Sequence, residues 1–172
     1  AKSYGGALND RLFYIEETPE GDFMVVVTTN STNGDVSESF GDYDFWIFKI
    51  DADGNLLWEK SYGGSGFDYL IHLVTTDDGG ALAVGDTESI DGDVIGHDPL
   101  HDRDAWVIKL DSIGEIQWQR CLGGTGGDFL RSVIVTNDDG YLFTGHNFKN
   151  DFDVRGNHGS SDIWMINLDH FG

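Results

Sequence analysis

The sequence predicts an all-β chain built from three copies of one four-stranded antiparallel sheet. Three observations predict it: markers that recur at a step of roughly 60 residues, strand-like runs separated by Gly/Asp turns, and no sustained 3.6-residue apolar period. Lys2-Ser3-Tyr4-Gly5-Gly6 returns as Lys60-Ser61-Tyr62-Gly63-Gly64 and again as Arg120-Cys121-Leu122-Gly123-Gly124. Asp-x-Trp stands at Asp44/Trp46, Asp104/Trp106 and Asp162/Trp164, and Asp-x-x-Gly at Asp51/Gly54, Asp111/Gly114 and Asp169/Gly172. The first and second markers step by 58 and 60 residues in opposite order, and together they divide the chain into units 1–59, 60–119 and 120–172.

The first strand of each unit is an apolar run: 11–18, 69–76 and 129–136. A turn follows (Asp77-Asp78-Gly79-Gly80 in the second unit), whose residues supply positive φ and side-chain hydrogen bonds to the backbone. The second strand is expected at 23–29, 81–87 and 141–146, the third at 45–50, 105–110 and 163–168. In the third strand Trp106, Ile108 and Leu110 share one face and Ala105 and Val107 the other. A strand apolar on both faces belongs to a sheet packed between two others. The fourth strand, 115–120, alternates Ile116 and Trp118 with Gln117 and Gln119, as a half-exposed outer strand does.

Repeated four-stranded antiparallel sheets, apolar on both faces, are the pattern of β-propeller blades. Three blades do not close a ring, because closed propellers use about four to eight. Further blades are therefore expected, from a longer chain or from a second copy. Residues 1–4 align with the tail of a fourth strand, and Gly172 with the turn before one.

Composition narrows the partners. Ten basic residues against 31 acidic ones leave a formal charge of −21, which repels nucleic-acid phosphates and anionic lipid and attracts cations. No apolar run approaches the ~20 residues of a membrane-spanning helix, so direct membrane insertion is not expected. Cys121 is the only cysteine, which excludes an intrachain disulfide; its place in a strand-like run reads as a small core residue.

The units share Gly-Gly-x-Gly-x-Asp, Asp-Gly-Gly, Gly-Asp-Val and Asp-x-Trp-x-x-Lys-Leu-Asp-x-x-Gly-x-Ile-x-Trp-Gln, seen at Gly63, Gly64, Asp68, Gly92, Asp93, Val94, Asp104, Trp106, Lys109, Leu110, Asp111, Gly114, Ile116 and Trp118. This consensus resembles the propeller repeats of large secreted bacterial proteins that often end in a type IX secretion sorting domain. The resemblance covers all three units, and Ala7-Leu8-Asn9 departs from it in the first. It implies an extracellular or cell-surface location and a non-catalytic, modular role, and it implies no substrate.

Three patterns suggest chemistry. Gly63-Gly64-Ser65-Gly66-Phe67-Asp68 matches a calcium-binding nonapeptide, but that motif works when stacked every nine residues, and the alternative is a tight turn. Asp51-Ala52-Asp53-Gly54-Asn55 matches the start of an EF-hand loop without its closing Glu, so a hairpin turn is expected. The long loops between second and third strands carry the most oxygen donors. Asp35 and Asp44, Asp93 and Asp104, and Asp153 and Asp162 form the candidate set for a hard cation such as Ca²⁺. The same aspartates would otherwise cap turns and anchor the loops to backbone N–H groups. His97 and His101 in the second loop are possible transition-metal donors or solvated side chains.

No nucleophile–base pair stands out. Tyr14, His72 and Ser132, with Arg131, break the repeat on the innermost strand and would line the channel. The expected function is a non-catalytic binding or scaffold module, meeting a protein or glycan partner through its long loops. The alternative is a glycan-active enzyme with its site at the channel mouth, which would need a cluster that violates the repeat.

Overall fold

A computed structural model describes residues 1–172 and contains eleven strands and no helix. β1 (Asp10–Glu17), β2 (Phe23–Thr29), β3 (Asp44–Ile50) and β4 (Leu56–Tyr62) form the first sheet. β5 (Asp68–Thr75), β6 (Ala81–Thr87), β7 (Asp104–Leu110) and β8 (Ile116–Leu122) form the second. β9 (Asp128–Val135), β10 (Tyr141–Asn147) and β11 (Asp162–Leu168) form the third. Every pairing in the ladders is antiparallel and follows chain order, as in propeller blades. The three blades do not close a ring.

Two apolar layers hold the blades face to face. Met24, Val26, Phe45 and Ile47 of the first blade meet Leu70, Leu73, Trp106 and Ile108 of the second, with the Phe45 and Trp106 rings 4.6 Å apart. Leu82, Val84, Ala105 and Val107 on the opposite face meet Leu130, Val133, Phe143 and Trp164 of the third. Every residue of β6 and β7 is buried, as the two-faced apolar pattern requires. On the outward faces Leu12, Ile163 and Met165 remain exposed.

Among the first strands, β5 adjoins β1 on one side and β9 on the other. Each carries a bulge at the same place, where Phe13, Ile71 and Arg131 are skipped in the pairing. All three begin one residue earlier than expected, at an aspartate. In the second and third blades the cause is visible: Asp68 N–H donates to Tyr43 O and Asp128 N–H to Arg103 O, both at 2.7 Å, so the neighbouring blade draws the aspartate into order. The sheets end at Tyr62 and Leu122, a few residues beyond the repeat boundaries at 59 and 119, because the Lys-Ser-Tyr marker completes the fourth strand.

The blades have two ends. One carries only tight hairpins, such as 51–55, where Asp51 Oδ1 accepts the N–H groups of Asp53 (3.0 Å) and Asn55 (2.7 Å). The other carries the long loops 30–43, 88–103 and 148–161 and the inter-blade connectors 63–67 and 123–127. The candidate chemistry lies at this loop end.

Candidate functional site

Each connector is a glycine joint clamped by side chains. Gly64 N–H donates to Asp68 Oδ2 (2.9 Å), Ser65 N–H to Asp91 Oδ1 (2.7 Å) and Gly66 N–H to Ser89 Oγ (2.9 Å). Asp93 completes the clamp in both directions: its N–H donates to Gly63 O at 2.8 Å, and its Oδ2 accepts Gly63 N–H at 3.3 Å. Asp35 does the same with Gly5 (3.0 Å each way), and Asp153 with Gly123 (3.2 and 3.4 Å). The glycine-rich stretch is thus a tight turn in this structure, with its amides taken by carboxylates.

Two of the aspartates that open the third strands anchor their own loops. Asp44 Oδ2 accepts Ser39 Oγ–H (2.5 Å) and Phe40 N–H (2.8 Å), and Asp162 Oδ2 accepts His158 N–H (2.5 Å). The sequence grouped Asp93 with Asp104 in one loop; the fold instead sets carboxylates against each other across blades. Asp44 faces Asp68, and Asp104 faces Asp128, with Gly63 and Gly123 between them. A Cβ on Gly123 would lie 2.7 Å from both Asp104 Oδ1 and Asp128 Oδ2, so only glycine passes between the two carboxyls.

Burial pushes Asp68 and Asp128 up to about 6, in spite of hydrogen bonds that favour their ionised forms. Asp44 and Asp104 rise for the same first reason. Sequence reasoning missed Asp10, Asp68 and Asp128 as joint residues. Their step of 58 and 60 residues, the same as the glycine marker, was the available signal.

The repeat breaks at the second joint. Asp68 Oδ1 accepts the Thr87 hydroxyl, and its Oδ2 the Ser89 hydroxyl at 2.8 Å; Thr29 and Ser31 serve Asp10 in the same way. In the third blade Asn147 and Lys149 stand in those places, and Asp128 Oδ1 is left without a partner. Across the joint, His101 Nδ1 lies 3.6 Å from Asp104 Oδ1, and neither atom has a hydrogen-bond partner. His97 Nδ1 lies 2.9 Å from Ser89 O, which leaves its buried Nε2 unpaired as well. Nowhere in the molecule do three or more His, Cys, Asp or Glu side chains already stand together in metal-holding geometry.

A second feature begins at the first joint, where the start of β3 meets the start of β5, and runs on to the second. Tyr43, Phe67 and Tyr69 form a triangle of near-parallel rings with centroids 5.9–6.0 Å apart. The Arg11 guanidinium lies over Tyr43 at 5.6 Å, Arg103 over Tyr69 at 5.1 Å, and Arg131 over Phe129 at 5.0 Å. Asp86, 2 % exposed, accepts from both Arg103 and Arg131 at 3.0 Å, and Glu88 pairs with Arg103. A cleft of about 630 Å³ opens here between the second and third blades, lined by Glu88, Asp102, Arg103, Phe129, Phe148 and Lys149.

Of the residues expected to line a channel, Tyr14 and His72 meet with ring centroids 4.2 Å apart, and His72 Nδ1 accepts Val133 N–H at 3.4 Å. Arg131 turns away to Asp86. Cys121 is half-buried, and burial pushes its thiol up to about 12.

No family model matches the sequence, and no curated protein matches it. Among solved structures the chain is similar to an apocarotenoid oxygenase variant from Synechocystis, at 14 % identity and a TM-score of 0.49 over 95 % of this chain and 37 % of that one. It is also similar to a protein of unknown function from Bacteroides caccae, at 13 % identity and a TM-score of 0.37 over 78 % of this chain and 56 % of that one. Such distant likeness says nothing of chemistry. The chain spans little more than a third of the oxygenase and about half of the Bacteroides protein, and its all-β architecture rests on its own three sheets.

Proposed function

We propose that the chain is a non-catalytic binding module of a secreted or surface-exposed bacterial protein, and that it holds a glycan at the loop end of its blades. One observation carries the reading: half-buried aromatic rings and arginines gather at the mouth formed by the starts of the first and third strands. Rings already ordered against guanidinium groups offer flat apolar faces at little entropic cost. The adjoining cleft adds donors and acceptors of both signs, which suits hydroxyl-rich ligands better than a polyanion, as does the overall charge. The secreted location rests on the repeat consensus alone.

A glycan-active enzyme is the second reading, and the break in the repeat at Asp104 and Asp128 favours it. A glycan-array screen of the wild type beside Tyr69→Ala and Phe129→Ala separates the two. The binding module predicts a retained sugar class whose signal falls in both variants. A silent array, or equal signal in the variants, removes it; release of reducing ends from the bound glycan replaces it with the enzyme.

A further inference from the structure

We propose that the cleft between the second and third blades takes a sugar bearing one carboxylate, a uronic acid unit of a glycan, and holds that carboxylate between the Lys149 ammonium and the Gly126 amide. This ligand class rests on the glycan reading above. A departure from the repeat carries it. In the first two blades the third amide of the connector donates to a serine hydroxyl: Leu8 N–H to Ser31 Oγ at 3.0 Å, and Gly66 N–H to Ser89 Oγ at 2.9 Å. Lys149 stands in the place of that serine in the third blade. An ammonium accepts nothing, so the Gly126 N–H is left without an acceptor. Its neighbours keep theirs: Gly124 N–H donates to Asp128 Oδ2 at 2.7 Å and Thr125 N–H to Asp151 Oδ1 at 2.9 Å.

The two donors lie together. A Cβ on Gly126 would stand 2.5 Å from Lys149 Cγ and 3.2 Å from its Cβ, so the lysine stem runs directly against the connector backbone. Both residues line the same cleft of about 630 Å³. Lys149 is also the free cation there. Arg103 is engaged by Asp86 and Glu88, and Arg131 by Asp86, while Lys149 joins none of the ion pairs. A peptide N–H calls for a partner, and with the ammonium it offers the two oxygens of a carboxylate one neutral and one charge-assisted hydrogen bond.

The rest of the cleft suits a sugar ring. Phe148, 42 % exposed, meets Phe129 edge-on with centroids 6.1 Å apart and presents an apolar wall. Asp102, exposed on the same cleft, is free to accept hydroxyl groups. At the first joint Ser89 already takes the Gly66 amide, so the same pocket is not repeated there.

The test is calorimetric titration of the full chain with oligogalacturonides, oligoglucuronides and oligomannuronides, each beside its methyl ester. At least one free acid is expected to bind, with its methyl ester about 10-fold or more weaker. Lys149→Ser, which restores the serine of the other units, should weaken the acid alone and erase that difference; Lys149→Arg should keep it. The lysine is exposed, so neither change disturbs the core. Equal binding of acid and ester, a Lys149→Ser chain as tight as wild type, or a preference for sulfated glycans over uronides would overturn the pocket. Neutral glycans bound as tightly as the acids, with signal lost in Tyr69→Ala and Phe129→Ala, would leave the glycan reading standing and remove only the carboxylate. Binding of no glycan at all removes both.

Discussion

Tyr62, the last residue of the first blade, donates its hydroxyl to the carbonyl of Gly114 in the second blade's outer hairpin, 2.7 Å away. Tyr4 and Gly54 repeat the contact at 2.6 Å, whereas Leu122 occupies the third position and Arg120 reaches Gly172 O instead, at 2.8 Å. The sequence markers are therefore parts of one device. The Tyr-Gly-Gly tail clamps the next Asp-x-x-Gly turn, and its first glycine passes between the aspartate of Asp-x-Trp and the aspartate that opens the next blade.

Removing the hydroxyl should loosen that clamp. Tyr62→Phe keeps the buried ring but strands the Gly114 carbonyl, and is expected to cost about 1–1.5 kcal/mol in urea unfolding. An unchanged midpoint would show that the tyrosine serves by packing alone.

Gly63→Ala should be far more damaging. Its methyl would meet Asp44 Oδ1 and Asp68 Oδ2, both buried, and a loss of about 2–4 kcal/mol is expected. Gly21→Ala is the comparison: nothing lies near its Cβ position, so only its φ of +88° is strained, at about 1 kcal/mol. Equal losses at the two sites would refute the crowding argument.

The first joint makes stability depend on pH. Asp68 ionises near 6 when folded and near the usual aspartate value when unfolded, so the unfolded chain loses its proton first as pH rises. Stability from this group is full below about pH 4, declines between about 4 and 6, and is lost above, by up to ~3 kcal/mol. Asp51, Asp78 and Asp138, whose carboxyls are held below the normal range by hydrogen bonds, act in the opposite sense at lower pH. Carbon-13 NMR titration of the Asp68 carboxyl reads this directly; a midpoint near 4 would sink it.

Trp106 faces the first blade, and its indole N–H donates to Gln119 Oε1 at 2.8 Å. Trp106→Ala should cost about 3–5 kcal/mol. Hydrogen exchange should rise in β3, where Phe45 loses its partner, before it rises in β9. Loss of protection in β9 first would contradict the assigned facing.

The sheets were legible because their signals are local and repeated: the two-faced run Ala105–Leu110 needs only period-two alternation to declare itself. The joint was half legible. Its glycines and aspartates recur visibly, but that Asp104 opposes Asp128 follows from the angle between blades, which no single unit encodes. The aromatic mouth was hidden for another reason. Tyr43, Phe67 and Tyr69 lie just outside or at the edge of strands, where periodicity carries no information, and their arginines come from two different units. Asn147 and Lys149 were readable as departures from Thr and Ser, yet their effect shows only when the stranded Asp128 oxygen is located.

The joints set how such an array can be recombined. Copying a whole period in any frame preserves them while the units are alike, since every copy brings the same glycine and the same pair of acids. Once copies diverge, the frame matters. His101 stands 3.6 Å from Asp104 in one unit, and the acid that faces Asp104 lies in the next, where Asn147 and Lys149 replace its hydroxyl donors. A graft that moves one pair without the other would transplant half a device, although every sheet in it would still fold.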